Sequence, residues 1–294
     1  MSVRAVQADR PGGPEVLEVR EVPAPETGPS QILVRTVASS LNPIDRKMRG
    51  RETLTFPLTL GWDLAGMVVD SDVSRFKPGD RVIAMIDPLL TGIGAWSDLV
   101  ALDPDVVAFA PDRAALTEAA TLPLAGLTAL QAWNKLSLHA SSRVLVAGAA
   151  GAIGGFLVQL AVRDGHAVDG LVSRPSHLAT VKSLGAELVT DDLEALPEQG
   201  YDAIVDTVGL TAVLGRFVTA DGQYVVTSKE QPDLPRSHPV RVAADAGQLG
   251  QLARMVDAGE LRLRVSAHYG LYDVHDAHWH FEAGGLLGKV VLVF

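Results

Sequence analysis

The chain contains no cysteine. Disulfides are thereby excluded, and so is any zinc, haem or iron–sulfur site held by thiolate. Aromatic residues are scarce at 5%, and 25 Lys and Arg fall short of 35 Asp and Glu, leaving a formal net charge of −10. Such a surplus repels nucleic-acid backbones, and no basic run offsets it. No apolar stretch reaches the roughly 18 residues of a membrane span, and the opening MSVRAVQADRPGG has neither the basic nor the apolar region of a secretory signal. The expectation is a cytoplasmic protein acting on a small molecule, with neither nucleic acid nor membrane as partner. What is abundant is apolar: 47% of the 294 residues are hydrophobic, enough for one large core or two moderate ones.

The pattern divides the chain. Short β-rich pieces at 3–7, 16–20, 32–37, 65–69 and 80–85 are punctuated by turn signals at Pro11-Gly12-Gly13-Pro14, Pro23-Ala24-Pro25 and Lys77-Pro78-Gly79-Asp80, which predicts an antiparallel, partly closed β domain. From about residue 118, apolar strands at 144–147, 167–172, 201–206 and 222–227 alternate with helical stretches long enough for parallel crossovers. The tail from Val265 holds one helical segment and a terminal strand, KVVLVF, that returns to the first domain. The fold class is therefore α/β: a β-rich domain over 1–117 and 266–294, and a doubly wound parallel-sheet domain over 118–265.

Residues 144–155 read VLVAGAAGAIGG, a buried strand running into a helix through the least bulky residues available. A helix N-terminus offers free N–H groups and partial positive charge to a pyrophosphate, but only if no side chain intervenes. The dinucleotide pattern G-x-G-x-x-G, laid on this stretch, has Ala149 in its first place with Gly151 and Gly154 in the second and third. A tight packing turn without ligand is the alternative.

Several stretches taken together resemble the zinc-independent medium-chain dehydrogenase/reductase superfamily, in its NADPH:quinone oxidoreductase group. They are SSLNPIDRKMRG (39–50), LGWDLAGMVV (60–69), FKPGDRV (76–82), GAWSDLV (94–100), AATLPLAGLTALQ (119–131), the glycine loop and GKVVL (288–292), in the family's order and across nearly the whole chain. The resemblance implies a GroES-like catalytic domain beside a Rossmann domain. It implies NADPH as cofactor, held by Thr128, Ala149, Ala150, Gly151, Ala152, Ile153, Ser173, Arg174, His177, Val208, Gly209 and Lys289. It also places Asn42 where zinc-dependent relatives carry a catalytic cysteine, and Gly61-Trp62-Asp63 in place of a Gly-His-Glu. The chain departs from the family in lacking a Tyr after Asp45 and in a short 229–239 stretch, which implies a more open cleft.

Without a Lewis acid, hydride transfer is easiest onto an acceptor that delocalises its own negative charge, such as a quinone or the β-carbon of an enone. Asn42 is the expected donor to the developing oxyanion, with Asp45 orienting it or relaying a proton; a plain Asn-capped turn is the alternative. At the tip of the second strand of the nucleotide domain, Val172, Ser173 and Arg174 offer no acid for a ribose hydroxyl and a cation for a 2′-phosphate, which favours NADPH over NADH. Asp169 falls earlier in that strand. His275, His278 and His280 suggest a metal site or, as the preferred reading, a solvated helix face. Family members pair through an edge strand, and 240–243 is the candidate edge of a homodimer. A tailoring enoyl reductase and a non-catalytic NADPH-binding redox sensor are the competing functions.

Overall fold

The computed structural model describes residues 1–92, 94–228 and 233–294. Part of the short 229–239 stretch thus lies outside the described residues.

The alternating apolar pieces of the first third do form strands, because one face of each can be buried while the other meets water or a second layer. β1 (Ser2–Ala8) pairs antiparallel with β2 (Leu17–Pro23) and β4 (Leu58–Thr59). A larger sheet takes β3 (Ile32–Ser40), β5 (Asp63–Ser71), β6 (Arg81–Met85), β7 (Leu99–Leu102) and β8 (Val107–Phe109), all joined antiparallel. Its two remaining strands come from the far end of the chain. β15 (Val265–Gly270) lies parallel to β16 (Lys289–Val293), and β16 runs antiparallel to β3 with Val291 opposite Ser40.

Between them sits a six-stranded parallel sheet of β9 (Arg143–Ala147), β10 (Ala167–Leu171), β11 (Val189–Thr190), β12 (Tyr201–Asp206), β13 (Val218–Val226) and β14 (Ser237–Pro239), in the order β11-β10-β9-β12-β13-β14. The order reverses between β9 and β12, so the connections after these two strands diverge and leave a crevice at their carboxyl ends. β9 is apolar after its first residue because helices cover both faces of a parallel sheet. The helix Pro123–Trp133 has ten of its eleven residues buried and ties the two domains together.

The outer edge differs from expectation. The last strand is Ser237–Pro239, while Ala243 has its backbone N–H and C=O hydrogen-bonded to the Gln131 side chain at 2.9 and 2.8 Å. Ala243 is therefore closed to strand pairing with a second copy.

The glycine loop also shifts by one residue. The turn that leaves β9 is made at Gly148, whose φ of +75° is the conformation that favours glycine, so Ala149 behind it is an ordinary residue. Gly154 serves close packing: a Cβ there would sit 2.1 Å from the Gly148 carbonyl oxygen. Gly154→Ala is accordingly expected to destabilise the fold by about 1 to 3 kcal/mol through overpacking, read in a thermal melt as a fall of roughly 2 to 12 °C. A melting temperature equal to that of the parent chain would contradict the packing role.

Candidate active site

Sheet register brings three distant polar residues to one point. Asn42 follows the end of β3, Asp63 opens β5 and Lys289 opens β16, and pairing of β5 and β16 with β3 sets them side by side. All three are buried, Asp63 completely. One Asp63 oxygen, Oδ2, accepts hydrogen bonds from the Ser40 hydroxyl, from Asn42 Nδ2 at 2.8 Å and from Lys289 Nζ at 3.1 Å. The other accepts the backbone N–H of Leu124 at 2.7 Å, in the first turn of the helix Pro123–Trp133, where a carboxylate also meets the positive end of the helix dipole.

Lys289 donates in addition to Asn42 Oδ1. An ammonium has no acceptor, so this contact fixes which way the Asn42 amide faces. Its two N–H bonds go to Asp63 and to the Ser40 carbonyl at 3.2 Å. The amide expected to meet a substrate oxygen therefore has both hydrogens committed within the protein. Lys289, which has three N–H bonds and two partners here, has one left over.

Asp45 stands apart from this exchange. Its carboxylate accepts the backbone N–H of Asn42 at 2.8 Å, closing the first turn of the helix Pro43–Arg49, and that of Gly61 at 3.1 Å. It fixes the Asn42 backbone, not its amide, and does not line the cleft. Complete burial pushes its carboxyl up to about 7, with Asp63 nearby adding to the rise, against the pull of the two N–H bonds and Lys289.

Asn42 and Lys289 form part of the wall of a cleft of about 600 Å³ that runs from this cluster to the carboxyl ends of β9, β10 and β12. Gly148, Ala150, Gly151, Ala152 and Ile153 line its middle, and the helix Ala152–Arg163 starts there with its first-turn N–H groups free of intrahelical partners. Leu171, Val172, Ser173, His177, Asp191 and Leu193 line the far end. His177 is 5% exposed, and its Nδ1 is buried with no partner. Val208 belongs to a loop shaped by Asp206, whose carboxylate accepts the N–H groups of Val208, Gly209 and Leu210 at 2.7 to 2.9 Å and the Tyr224 hydroxyl at 2.8 Å. Small residues at a strand-to-helix turn, free helix N–H groups and an orphaned imidazole nitrogen fit a phosphate-bearing dinucleotide.

Other expected contacts fall elsewhere. Ala149 is buried behind the loop; Gly209 turns its N–H to Asp206; the Thr128 hydroxyl donates to the Leu124 carbonyl inside its own helix. None of the three lines the cleft. Arg174 is exposed and its guanidinium lies against Gly285, where a Cβ would come within 2.1 Å of it, so it crosses to the opposite domain at the rim. Asp169 is fully buried, held by Arg143 at 2.8 Å, the Tyr201 hydroxyl at 2.8 Å and Leu188 N–H, and does not line the cleft.

The histidines do not share a solvated face. His278 in the helix Val274–Ala283 is completely buried, with Nδ1 2.9 Å from Arg49 Nη1 and its ring edge-on to Trp96. Burial, with Arg49 adding to it, holds its pKa down to about 3. His275 meets the Leu17 carbonyl at 2.7 Å and His280 the Tyr269 hydroxyl at 3.0 Å. Among the described residues no three His, Asp or Glu side chains come together as a metal site.

Residues 28–112 match the family model of the alcohol dehydrogenase GroES-like domain, and residues 181–292 that of zinc-binding dehydrogenase. The chain is 31% identical to a 2-methylene-furan-3-one reductase of Solanum lycopersicum, over 96% of this chain and 76% of that protein. It is 34% identical to the chloroplast envelope quinone oxidoreductase homolog of Arabidopsis thaliana, over 96% of this chain and 95% of that one. The chain belongs to the quinone oxidoreductase group of the medium-chain dehydrogenase/reductase superfamily. The solved quinone oxidoreductase of Coxiella burnetii superposes on this oxidoreductase with a TM-score of 0.92, at 28% identity and full coverage of both chains.

Asp63 was named from the sequence only as a replacement and never as a site residue; its signal, an acid amid the apolar run LGWDLAG, marks a buried charge needing partners. In this oxidoreductase Asp45 gives a titration signature. The folded chain binds the Asp45 proton more tightly, near 7, than an unfolded chain does, near 3.8. Its contribution to stability is therefore greatest below about pH 4, declines as pH rises to about 7 and is flat above. Against Asp45→Asn, which does not titrate, the wild-type stability advantage should shrink over that window in urea unfolding. A difference constant from pH 4 to pH 8 would rule this out.

Proposed function

We propose that this chain transfers hydride from NADPH to a quinone or an α,β-unsaturated carbonyl compound, with Lys289 in the part that a metal plays in zinc-dependent relatives. The observation that carries the reading is an ammonium fixed by Asp63 and Asn42 at one end of a cleft whose middle is a glycine-rich helix N-terminus. The cofactor supplies the hydride. Addition at the β-carbon of an enone leaves negative charge on the carbonyl oxygen, and the uncommitted N–H of Lys289 is positioned to hold it. Asn42 and Asp63 act through Lys289, keeping the ammonium aimed.

Zinc has no place in this reading. The chain offers no thiolate, and the carboxylate in the position to hold a metal already holds a lysine ammonium at 3.1 Å. A redox sensor without turnover predicts NADPH binding with no oxidation in the presence of any acceptor. The tailoring enoyl reductase shares the same chemistry and differs only in the acceptor. A cytoplasmic location and assembly as a homodimer belong to the same proposal; among the described residues, no helix is long and apolar enough to cross a membrane.

NADPH oxidation assayed across quinones, alkenals and enoyl thioesters tests the reading. Turnover with at least one class is expected, and Lys289→Met should lower kcat by about 100-fold, as loss of an oxyanion donor does in well-studied sites. No turnover with any of them, or an unaltered kcat in the variant, would sink it.

For the 2′-phosphate, Ser173 and His177 stand in the cleft wall and Arg174 lends charge from the rim. A charge-assisted hydrogen bond contributes about 1.5 to 3 kcal/mol. Arg174→Ala and His177→Ala, made separately, should each cut the preference for NADPH over NADH in kcat/KM by about tenfold, leaving NADH nearly untouched. A preference that survives both changes would move the phosphate site elsewhere.

A further inference from the structure

Arg264 lies behind the glycine loop, in the segment that leads into β15. Its guanidinium donates to the Ala150 carbonyl at 3.0 Å and to the Gly151 carbonyl at 2.5 Å. Room for it exists because residue 155 has no side chain: a Cβ on Gly155 would lie 1.7 Å from Arg264 Nη2. The second glycine of the Gly154-Gly155 pair is thus explained by an arginine more than one hundred positions away. Among the described residues Arg264 forms no ion pair with any carboxylate. Withdrawal from water alone brings its pKa down, to about 10. A partly desolvated cation without an anion is an unfavourable arrangement that an incoming anion would relieve.

The same residues connect it to the cleft. Arg264 lines a small cavity of about 10 Å³ with Ala152, Gly288 and Lys289, and all three of these also line the main cleft. A trans peptide points its N–H opposite to its C=O. Holding the Gly151 carbonyl from behind therefore turns the Ala152 N–H the other way, toward the cleft that Ala152 lines.

We propose that Arg264 is a positioning residue for the cofactor pyrophosphate, clamping the Ala150 and Gly151 carbonyls so that the loop presents its N–H groups, and supplying an unbalanced positive charge behind them. The inference rests on the NADPH reading above and goes beyond it, since it assigns the anion's counter-charge to a residue outside the cleft wall.

Calorimetric titration of the full chain with NADPH and with adenosine 2′-monophosphate, which has the 2′-phosphate and no pyrophosphate, separates the two ideas. Arg264→Gln should weaken NADPH by about tenfold while adenosine 2′-monophosphate stays within about twofold. Arg264→Lys keeps the charge and loses the two-carbonyl fork, and should recover part of the loss. If the Gln variant does not fold, Arg264→Lys alone should still weaken NADPH by about threefold relative to adenosine 2′-monophosphate. Parallel weakening of both ligands, or NADPH affinity unmoved in the variants, would overturn the role of Arg264 and leave the cofactor reading standing. A wild-type chain that binds neither ligand would overturn both.

Discussion

The whole arrangement depends on one buried carboxylate and the four groups that donate to it. Asp63 receives a hydroxyl from β3, an amide from the turn after β3, an ammonium from β16 and a backbone N–H from the helix that opens the nucleotide domain. An isolated carboxylate would be expelled from such a site or protonated there; a carboxylate with a full set of donors is held. Because the donors come from three separate parts of the chain, satisfying Asp63 and assembling the site are one event. The domain-joining helix is docked on the same carboxylate that holds the Lys289 ammonium, so the fold of one domain and the placement of the other share one anchor.

In the proposed reading the same cluster takes the part of a metal. A metal ion supplies positive charge at a defined point and neutralises a carboxylate there. Lys289, held between Asp63 and Asn42, brings a positive charge to that point on a covalent tether. An ammonium polarises an oxygen less than zinc does, so such a site would favour acceptors that spread their own charge.

Much of this was legible in the chain, and the parts that were not share a cause. Alternation of period two, turn residues and the wide spacing of apolar strands carry the two-domain α/β plan, because those patterns are local. That the terminal strand returns to the first domain was readable in the same way; its place beside β3 was not, because that pairing joins the two ends of the chain. The glycine loop was readable as a strand-to-helix turn, but the left-handed residue proved to be Gly148, since the fingerprint marks residue types and not backbone angles. Asn42 was correctly placed at the cleft and wrongly oriented, because its amide direction is decided by Lys289, 247 positions away. His278 was misread as solvated for a similar reason: its helix packs against Arg49 and Trp96, and neither is visible in the local period. Arg264, among arginines and leucines, carries no local signal at all.

The paired acids of the parallel sheet have a consequence for how a negatively charged protein accepts a polyanion. Asp169 and Asp206 are each completely buried and each accepts a tyrosine hydroxyl, but only Asp169 also has a cation, Arg143; Asp206 is held by backbone N–H groups. The chain as a whole has a net charge of −10, which salt screens, while among the described residues Arg264 behind the glycine loop and Arg174 at the rim pair with no carboxylate and Asp191 is the acid in the cleft wall. Encounter and capture are therefore governed by different charges: the exterior slows the approach of the nucleotide at low ionic strength, and the interior sets how long it stays.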